Sequence, residues 1–287
     1  MADIGLDVSR TRVHVITQED VRRWALPRAV DAHKWHAAMA VVAGSAGMGG
    51  AARLVTAAAL RAGAGYVRLS TPGGLVDPGV PTEAVLRELP PVSWAAPVAK
   101  SLERFHSLVI GPGLGRSDET TAEVRELVAT APVPVVVDGD GLFAMAWSAE
   151  GAGVVLKRRM APTVLTPHDG EFGLLAGHRP GPDRIAAARQ LAAATASVVL
   201  LKGPATVVAE PSGRVLISTM GDERLATAGS GDVLSGIIGA LLAQQLPAFE
   251  AAAVGAWLHG AAGMRGSARG LVASDLPALL PGVLEGL

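Results

Sequence analysis

The sequence contains no cysteine, so disulfide bridges and thiolate zinc sites are excluded. Charged residues make up only 18% of the chain and nearly cancel, which leaves a formal net charge of -1. This balance argues against a nucleic-acid-binding surface and against a polybasic membrane patch. The start of the chain lacks the basic-then-apolar plan of a signal peptide, and no apolar run approaches the ~18 residues of a membrane span. We therefore expect a cytoplasmic protein that binds neither nucleic acid nor membrane.

What the sequence does have is length and apolar content. Its 287 residues are 49% hydrophobic, which is enough for a sizeable core and argues against disorder. No linker and no internal repeat interrupts the chain. We therefore expect a single domain over residues 1–287.

Apolar runs alternate with polar or glycine-rich loops and with helical patterns along most of the chain. The patterns predict strands over residues 39–43, 66–70, 108–110, 133–137, 164–166, 198–201, 206–209 and 214–218. They predict helices over residues 51–62, 118–129, 183–196, 233–242 and 248–264. Such alternation is typical of an α/β fold with a mostly parallel sheet and helices on both faces.

Smaller signals refine this outline. Thr17 with Asp20 predicts a capped short helix that ends at Pro27, and residues 211–213 predict a hairpin between two strands. Residues 71–104 are rich in proline and give no clear element.

A glycine loop, Gly229-Ser230-Gly231-Asp232, leads directly into an apolar helical run. The unpaired amides and the dipole of a helix N-terminus bind anions, so the loop is suited to a phosphate. Asp232 would repel a phosphate, but it could take a proton from a hydroxyl while the amides hold the phosphoryl charge. The alternative is that Asp232 is only the N-cap of the helix.

A second glycine loop, Gly44–Gly50, joins a predicted strand to a predicted helix. Its spacing is not the dinucleotide fingerprint, and no acidic residue follows a second strand at the expected distance, so we reject a Rossmann site. A tight turn and a ligand loop remain equally good interpretations of this segment.

Polar residues collect at the carboxyl ends of the predicted strands, where ligands bind in parallel sheets. The members of this set are Gly44–Gly50, Gly111–Gly115, Asp138, Asp140, His168, Glu171 and Lys202. Asp138 and Asp140 could be linked to a metal or could be turn formers.

Three other histidines call for an interpretation. His33 and His36 favour a surface or subunit contact over a metal site. His259 lies in an apolar helical run and favours a hydrogen-bonded core residue.

Many ordered motifs identify a resemblance. They are Asp31–Lys34, Gly44-Ser45 with Gly50-Ala51, residues 57–65, Ile110–Gly115, Asp138–Leu142, Leu165–His168 with Gly170–Phe172, Lys202-Gly203 and Ala226–Leu234. Together these residues resemble the ADP/ATP-dependent NAD(P)H-hydrate dehydratases of the ribokinase-like superfamily. The likeness covers nearly the whole chain from about residue 16, and it implies a ribokinase-like fold.

The resemblance implies a metabolite-repair lyase. Hydrated NADH and NADPH are inactive, and the family restores the S epimer with ADP or ATP. The hydrate hydroxyl is phosphorylated, and phosphate then leaves with the electron push of the ring nitrogen. Two alternatives stay open: a small-molecule kinase of the same fold, acting on a sugar or a vitamin precursor, and a nucleotide-binding regulatory protein without catalysis.

The resemblance also assigns residues. It implies that Asp232 is the base at the hydrate hydroxyl and that the amides of Gly229, Ser230 and Gly231 form the anion hole. The implied nucleotide-binding residues are Lys202, Gly203, Pro204, Ala205, Thr206 and Gly231. The implied hydrate-binding residues are Ala51, Gly115, His168 and Asp232. A divalent cation, Mg²⁺, is expected between the phosphates, with Glu171 as its contact through water.

The chain departs from the family pattern at several positions. Gly139 and Gly141 stand where alanine is usual, and Asp169 stands where proline is usual. Residues 222–226 read Asp-Glu-Arg-Leu-Ala instead of Asn-Pro-Gly-Met-Ala. The epimerase domain often fused upstream is absent, so a separate epimerase is expected as a functional partner. A homotetramer is expected because family members are often tetramers.

Overall fold

The computed structural model describes residues 11–25, 29–74, 79–146 and 151–287. The predicted helix end at Pro27 lies outside these residues. The strands are β1 Val13–Val15, β2 Ala38–Val42, β3 Tyr66–Pro72, β4 Val85–Leu89, β5 Ser107–Ile110, β6 Val135–Val137, β7 Thr163–Leu165, β8 Val198–Leu201, β9 Thr206–Ala209 and β10 Val215–Ser218.

The helices connect these strands. They are α1 Gln18–Trp24, α2 Gly49–Arg61, α3 Ala95–Lys100, α4 Asp118–Thr130, α5 Asp140–Ala146, α6 Ala152–Lys157, α7 Asp169–Ala176, α8 Arg184–Thr195, α9 Ser230–Ala243, α10 Ala248–Arg265 and α11 Leu276–Glu285. Short 3₁₀ turns at Lys34–Ala37, Glu223–Leu225 and Ala273–Asp275 complete the described regular structure.

Within the described residues, ten strands form one sheet in the order β1-β10-β9-β8-β7-β6-β5-β2-β3-β4. β9 pairs antiparallel with β8 and with β10, and every other pairing is parallel. The mostly parallel sheet and the hairpin at residues 211–213 are therefore confirmed. Since the parallel strands share one direction, the segments that follow them meet along one edge of the sheet.

The two faces of the sheet carry separate apolar layers. Along β2, Met39 and Val41 pack into the layer that holds α2, α9, α10 and α11. Ala38, Ala40 and Val42 point the other way, into the layer that holds α3, α4 and α8. This alternation follows from the two-residue period of a strand. The prediction of helices on both faces is confirmed.

Helix α9 lies at the centre of its layer because its glycines allow close contacts. A Cβ at Gly236 would collide with the Val55 carbonyl oxygen of α2, and a Cβ at Gly239 would collide with Val109 of β5. Gly255 of α10 similarly approaches Ile238, whose Cγ1 lies 2.6 Å from the place of a Cβ. These approaches bring the N-terminus of α9 to the edge where the parallel strands end.

Some elements differ from the predictions. Thr17 caps α1 as predicted: its side-chain oxygen accepts a hydrogen bond from Asp20 N–H, and the Asp20 carboxylate accepts one from Thr17 N–H. The uninformative segment 71–104 contains β4 and α3. β4 is an edge strand on which Val85 and Leu86 are both exposed, so it lacks the alternation that reveals a half-buried strand. Over the described part of the chain, no helix combines the length and apolarity that crossing a membrane requires.

Candidate active site

The N-terminus of α9 carries the glycine loop. Gly229 is the N-cap, in the left-handed region with φ +87°, and no side chain caps the helix. The helix begins at Ser230, three residues earlier than predicted, so Asp232 lies inside the first turn. The interpretation of Asp232 as the N-cap is therefore wrong. An uncapped helix start leaves amides available to an anion.

The amides of this loop are not equivalent. Ser230 N–H donates to Thr227 O at 3.2 Å, so it is already engaged. The Ser230 hydroxyl lies 3.0 Å from His259 Nε2, and both residues are buried. Burial lowers the pKa of His259 to about 4, so this histidine is neutral near pH 7. The interpretation of His259 as a hydrogen-bonded core residue fits this contact, and the residue stands directly behind the anion loop.

The carboxyl group of Asp232 is set up to accept a proton. Burial, followed by the negative charge of Asp138, raises the pKa of Asp232 to about 7, although Lys202 acts in the opposite direction. Asp140 and Glu171 add smaller contributions that raise it further. A base is most effective when its pKa lies near the working pH.

Lys202 connects two carboxylates of the site. Its Nζ lies 3.0 Å from Asp138 Oδ1 and 3.5 Å from Glu171 Oε2. Burial would lower the pKa of Lys202, but the Asp138 and Glu171 carboxylates raise it above its ordinary value. The lysine is therefore a fixed positive charge.

Asp138 is the counterion of this lysine. Its second oxygen accepts a hydrogen bond from Ser235 Oγ at 2.6 Å. Burial would raise the pKa of Asp138, but Lys202 and the Ser235 hydroxyl outweigh burial and hold that pKa below its usual range. The pair accounts for Asp138 without a bound metal. From the sequence alone, Asp138 is interpreted only as a metal-linked residue or a turn former. The ion pair was not predicted because Lys202 lies 64 positions away in the chain.

Gly231 joins the anion loop to this ion pair. A Cβ on Gly231 would lie 3.3 Å from Lys202 Nζ and 3.6 Å from Asp138 Oδ2. The structure therefore brings Lys202 and the loop that carries Asp232 together, as the sequence predicted.

His168 is the N-cap of α7. Its Nδ1 accepts hydrogen bonds from Gly170 N–H at 2.9 Å and Glu171 N–H at 3.2 Å. Nδ1 therefore carries no proton, and in the neutral ring the proton is on Nε2. The His168 side chain is 60% exposed, which leaves it accessible to a ligand.

Glu171 is the candidate metal contact. Its Oε2 accepts a hydrogen bond from His168 N–H at 2.9 Å and lies beside Lys202 Nζ, so this oxygen already has two partners within the protein. The described residues contain no group of three His, Asp or Glu side chains placed to hold a metal. A cation with mostly water and phosphate ligands fits this arrangement, with Glu171 reached through water.

The glycine-rich loops Gly44–Gly50 and Gly111–Gly115 lie side by side. Gly44 N–H donates to Pro112 O at 2.8 Å, and Ser45 Oγ donates to Gly113 O at 2.8 Å. Ala51 sits at the same contact, since a Cβ on Gly113 would lie 2.9 Å from that of Ala51. The two loops therefore form one surface, which includes Ala51.

Gly115 extends this surface towards α5. Its N–H donates to Asp140 Oδ2 at 2.9 Å, and Arg116 Nε lies 2.7 Å from Asp140 Oδ1. Asp140 therefore ties the Gly111–Gly115 loop to the N-terminus of α5.

The nucleotide-binding segment of the resemblance, residues 202–206, spans the turn from β8 to β9. Arg184, which the sequence did not single out, lies against it and donates from Nη2 to Lys202 O at 2.7 Å. Pro204 and Ala205 lie on the same turn, with Pro204 exposed, and Thr206 begins β9.

Two charges of the altered segment 222–226 pair with each other, whereas Glu223 is exposed. Arg224 pairs with Asp222 at 2.7 Å and donates to Met264 O and Gly266 O at the end of α10. His33 and His36 lie apart from this site, on an exposed 3₁₀ turn, which is compatible with the predicted surface position.

Comparison with known proteins agrees with this geometry. Residues 39–282 match the family model described as NAD(P)H-hydrate dehydratase. The bifunctional NAD(P)H-hydrate repair enzyme of Mycobacterium tuberculosis is 44% identical over 88% of this chain, and the match covers 51% of that enzyme. The chain thus spans about half the length of this bifunctional relative. The ADP-dependent (S)-NAD(P)H-hydrate dehydratase of Neisseria meningitidis is 39% identical, over 87% of this chain and 86% of its own length.

Solved structures give the same picture. The Bacillus subtilis ADP/ATP-dependent NAD(P)H-hydrate dehydratase, co-crystallised with ATP/Mg²⁺, superposes with a TM-score of 0.83 at 31% identity, covering 96% of this chain and 98% of that one. A ribokinase-like superfamily protein of Enterococcus faecalis superposes with a TM-score of 0.82 at 20% identity, covering 100% and 99%. That second likeness concerns the fold, and the predicted ribokinase-like α/β architecture is confirmed.

Proposed function

The chain belongs to the NAD(P)H-hydrate dehydratase family, and from this premise we propose that it restores NAD(P)H from the S epimer of its hydrate with ADP or ATP as co-substrate. The observation that carries the proposal is the Asp232 carboxyl group, whose pKa is about 7, on the first turn of an uncapped helix beside Lys202. A base and an anion site on one helix turn suit phosphoryl transfer to a hydroxyl.

The proposed reaction has two steps. Asp232 takes the proton of the hydrate hydroxyl, and the hydroxyl oxygen attacks the terminal phosphorus of the nucleotide. A new O–P bond forms, the bond to the leaving nucleotide breaks, and the α9 amides hold the phosphoryl charge. The carbon–oxygen bond then breaks, the ring nitrogen supplies the electron pair, and the neighbouring ring carbon loses a proton. The products are NAD(P)H, inorganic phosphate and the shortened nucleotide.

Mg²⁺ is part of this proposal. When bound, it would neutralise the phosphate oxygens, with Glu171 as a contact through water. Lys202 already faces two carboxylates, so its charge alone does not balance a polyphosphate.

The test is a turnover assay that follows the return of NADH absorbance from NADH hydrate, with ADP and ATP supplied in turn. We expect Asp232→Asn to abolish turnover while the nucleotide still binds. Asp118→Asn, which also changes an acidic residue in the first turn of a helix, is the control and should leave turnover unchanged. Recovery by Asp232→Asn at the wild-type rate would remove Asp232 from the mechanism.

The assay also separates the alternatives. A small-molecule kinase would consume ATP with a sugar or a vitamin precursor and accumulate a stable phosphate ester. A regulatory protein would bind the nucleotide without turnover. The homotetramer, the separate epimerase and the cytoplasmic location stay predictions.

A further inference from the structure

Arg184, the first residue of α8, bridges two loops of the candidate site. Its Nη1 lies 2.7 Å from Asp169 Oδ1 at the start of α7, and its Nη2 donates to Lys202 O at 2.7 Å. The Arg184 side chain is 23% exposed, so water screens these contacts only in part.

The two loops have different assigned tasks. His168, which follows Pro167 in the loop before α7, is expected to contact the hydrate, and residues 202–206 form the segment expected to bind the nucleotide. They also touch without Arg184, because Lys202 N–H donates to Pro167 O at 2.9 Å. Arg184 reinforces this junction from the outside.

Gly203 accommodates the guanidinium group. A Cβ on Gly203 would lie 2.7 Å from Arg184 Nη2 and 3.1 Å from its Cζ. The φ angle of Gly203 is not in the left-handed region, so backbone freedom does not account for glycine here. The guanidinium group fills the volume that a side chain would take.

Asp169 supplies the carboxylate that pairs with Arg184. The resembling family usually has proline at this position, and proline offers no carboxylate to an arginine. An aspartate in the first turn of α7 also suits the helix dipole.

We infer that Arg184 is a positioning residue that fixes the nucleotide-binding turn against the hydrate-binding loop. Its ion pair with Asp169 holds the guanidinium group, and the missing side chain of Gly203 leaves room for it. The inference rests on the proposed function for the identity of the two ligands. The junction itself can be measured without either ligand.

The first test uses Arg184→Met, which keeps an apolar stem and removes both contacts. Amide hydrogen exchange of the ligand-free protein should become at least tenfold faster at Lys202 and at the residues of 203–206 that carry an amide hydrogen, which are Gly203, Ala205 and Thr206. Affinity for Mg·ADP and Mg·ATP should fall about tenfold, because the nucleotide would have to order the loosened turn at a cost of about 1.4 kcal/mol. The nucleotide KM should rise by a similar factor, with a smaller change in kcat. Arg184→Lys, which keeps the charge near Asp169, should recover part of the affinity.

The matched control lies on the same helix. Arg189 is similarly half-buried and donates from Nε to Gly213 O at 2.9 Å, at the hairpin distant from the site. Arg189→Met should leave exchange at residues 202–206 and nucleotide affinity unchanged.

The second test is a double-mutant comparison. Gly203→Ala should displace the guanidinium group and reproduce the Arg184→Met phenotype, and the double variant should be no worse than either single one. Asp169→Asn should give a smaller effect that disappears in the Arg184→Met background.

Unchanged exchange at residues 202–206 in Arg184→Met would overturn the inference. Additive effects of Arg184→Met and Gly203→Ala on exchange and nucleotide affinity would also overturn it. The result could also be that exchange differs between Arg184→Met and wild type as expected, while the wild-type protein binds no nucleotide. That result would overturn the proposed function and leave the inference about Arg184 standing.

Discussion

Asp138 and Asp232 lie in one site, but their surroundings move their pKa values in opposite directions. Lys202 and Ser235 hold the pKa of Asp138 low against its burial, whereas burial and the Asp138 charge raise the pKa of Asp232 to about 7. Two carboxyl groups whose pKa values are driven apart take different roles. Asp138 is a fixed anion that orients Lys202, and Asp232 is the group that exchanges a proton.

The pH dependence of kcat/KM should report this difference. Because the proposed base must be ionised, activity should rise with pH around an inflection near 7. His259, with a pKa of about 4, does not titrate in that range. Asp138→Asn removes a negative charge beside Asp232, so the inflection should move to lower pH even if the maximal rate falls. An inflection that stays in place in Asp138→Asn would contradict the assignment.

The raised pKa of Asp232 should also appear in the stability of the ligand-free protein. In the unfolded chain an aspartate ionises near pH 4, whereas in the folded protein Asp232 ionises near 7, so the folded state binds this proton more tightly. The cost to folding is absent below about pH 4, grows between the two values and is complete above about pH 7. Asp232→Asn should therefore stabilise the protein at about pH 8, on the order of 4 kcal/mol, and much less at about pH 5.

Urea denaturation at the two pH values measures this difference. Asp118→Asn, on the exposed first turn of α4, should show no comparable change with pH. A stabilisation by Asp232→Asn that is equal at both pH values would mean that the folded protein does not perturb this carboxyl group.

The Ser230 hydroxyl should support the fold rather than the chemistry, because it is hydrogen-bonded to His259 Nε2 in a buried position. Ser230→Ala leaves His259 Nε2 without its partner in a buried position, which should cost about 1–3 kcal/mol of unfolding free energy. Turnover should fall less than about tenfold, whereas loss of a true oxyanion donor costs about 10²–10³. Ser107→Ala is the control, since it removes a buried hydroxyl that donates to Gly239 O at the other end of α9. A hundredfold loss of kcat in Ser230→Ala alone would place the hydroxyl on the phosphoryl group.

Local patterns predicted much of the sheet but not the partners within the site. The strands 198–201 and 206–209 were predicted with their observed bounds, because short apolar runs between turn residues carry a strong signal. Helix α7 was missed because a histidine, His168, fills the N-cap position usually taken by Ser, Thr, Asp or Asn. The Arg184 bridge was missed because long-range contacts leave no periodic signal in one sequence.

The close packing of α9 on α2 should be a condition for activity, and Gly236 tests it. A Cβ at Gly236 would collide with the Val55 carbonyl oxygen and lie 2.9 Å from Ala58 Cβ. A backbone oxygen cannot rotate away, so Gly236→Ala should push the helices apart, cost about 1–3 kcal/mol of unfolding free energy and weaken nucleotide binding at the displaced N-terminus of α9.

Gly173 of α7 is the matched control for this packing. A Cβ there would meet no atom closer than 3.9 Å, so Gly173→Ala should be neutral or stabilise the protein by up to about 1 kcal/mol through helix propensity. Urea denaturation and Mg·ADP affinity measure both variants. If Gly236→Ala matched Gly173→Ala in both measurements, the position of the anion loop would not depend on the contact between α9 and α2.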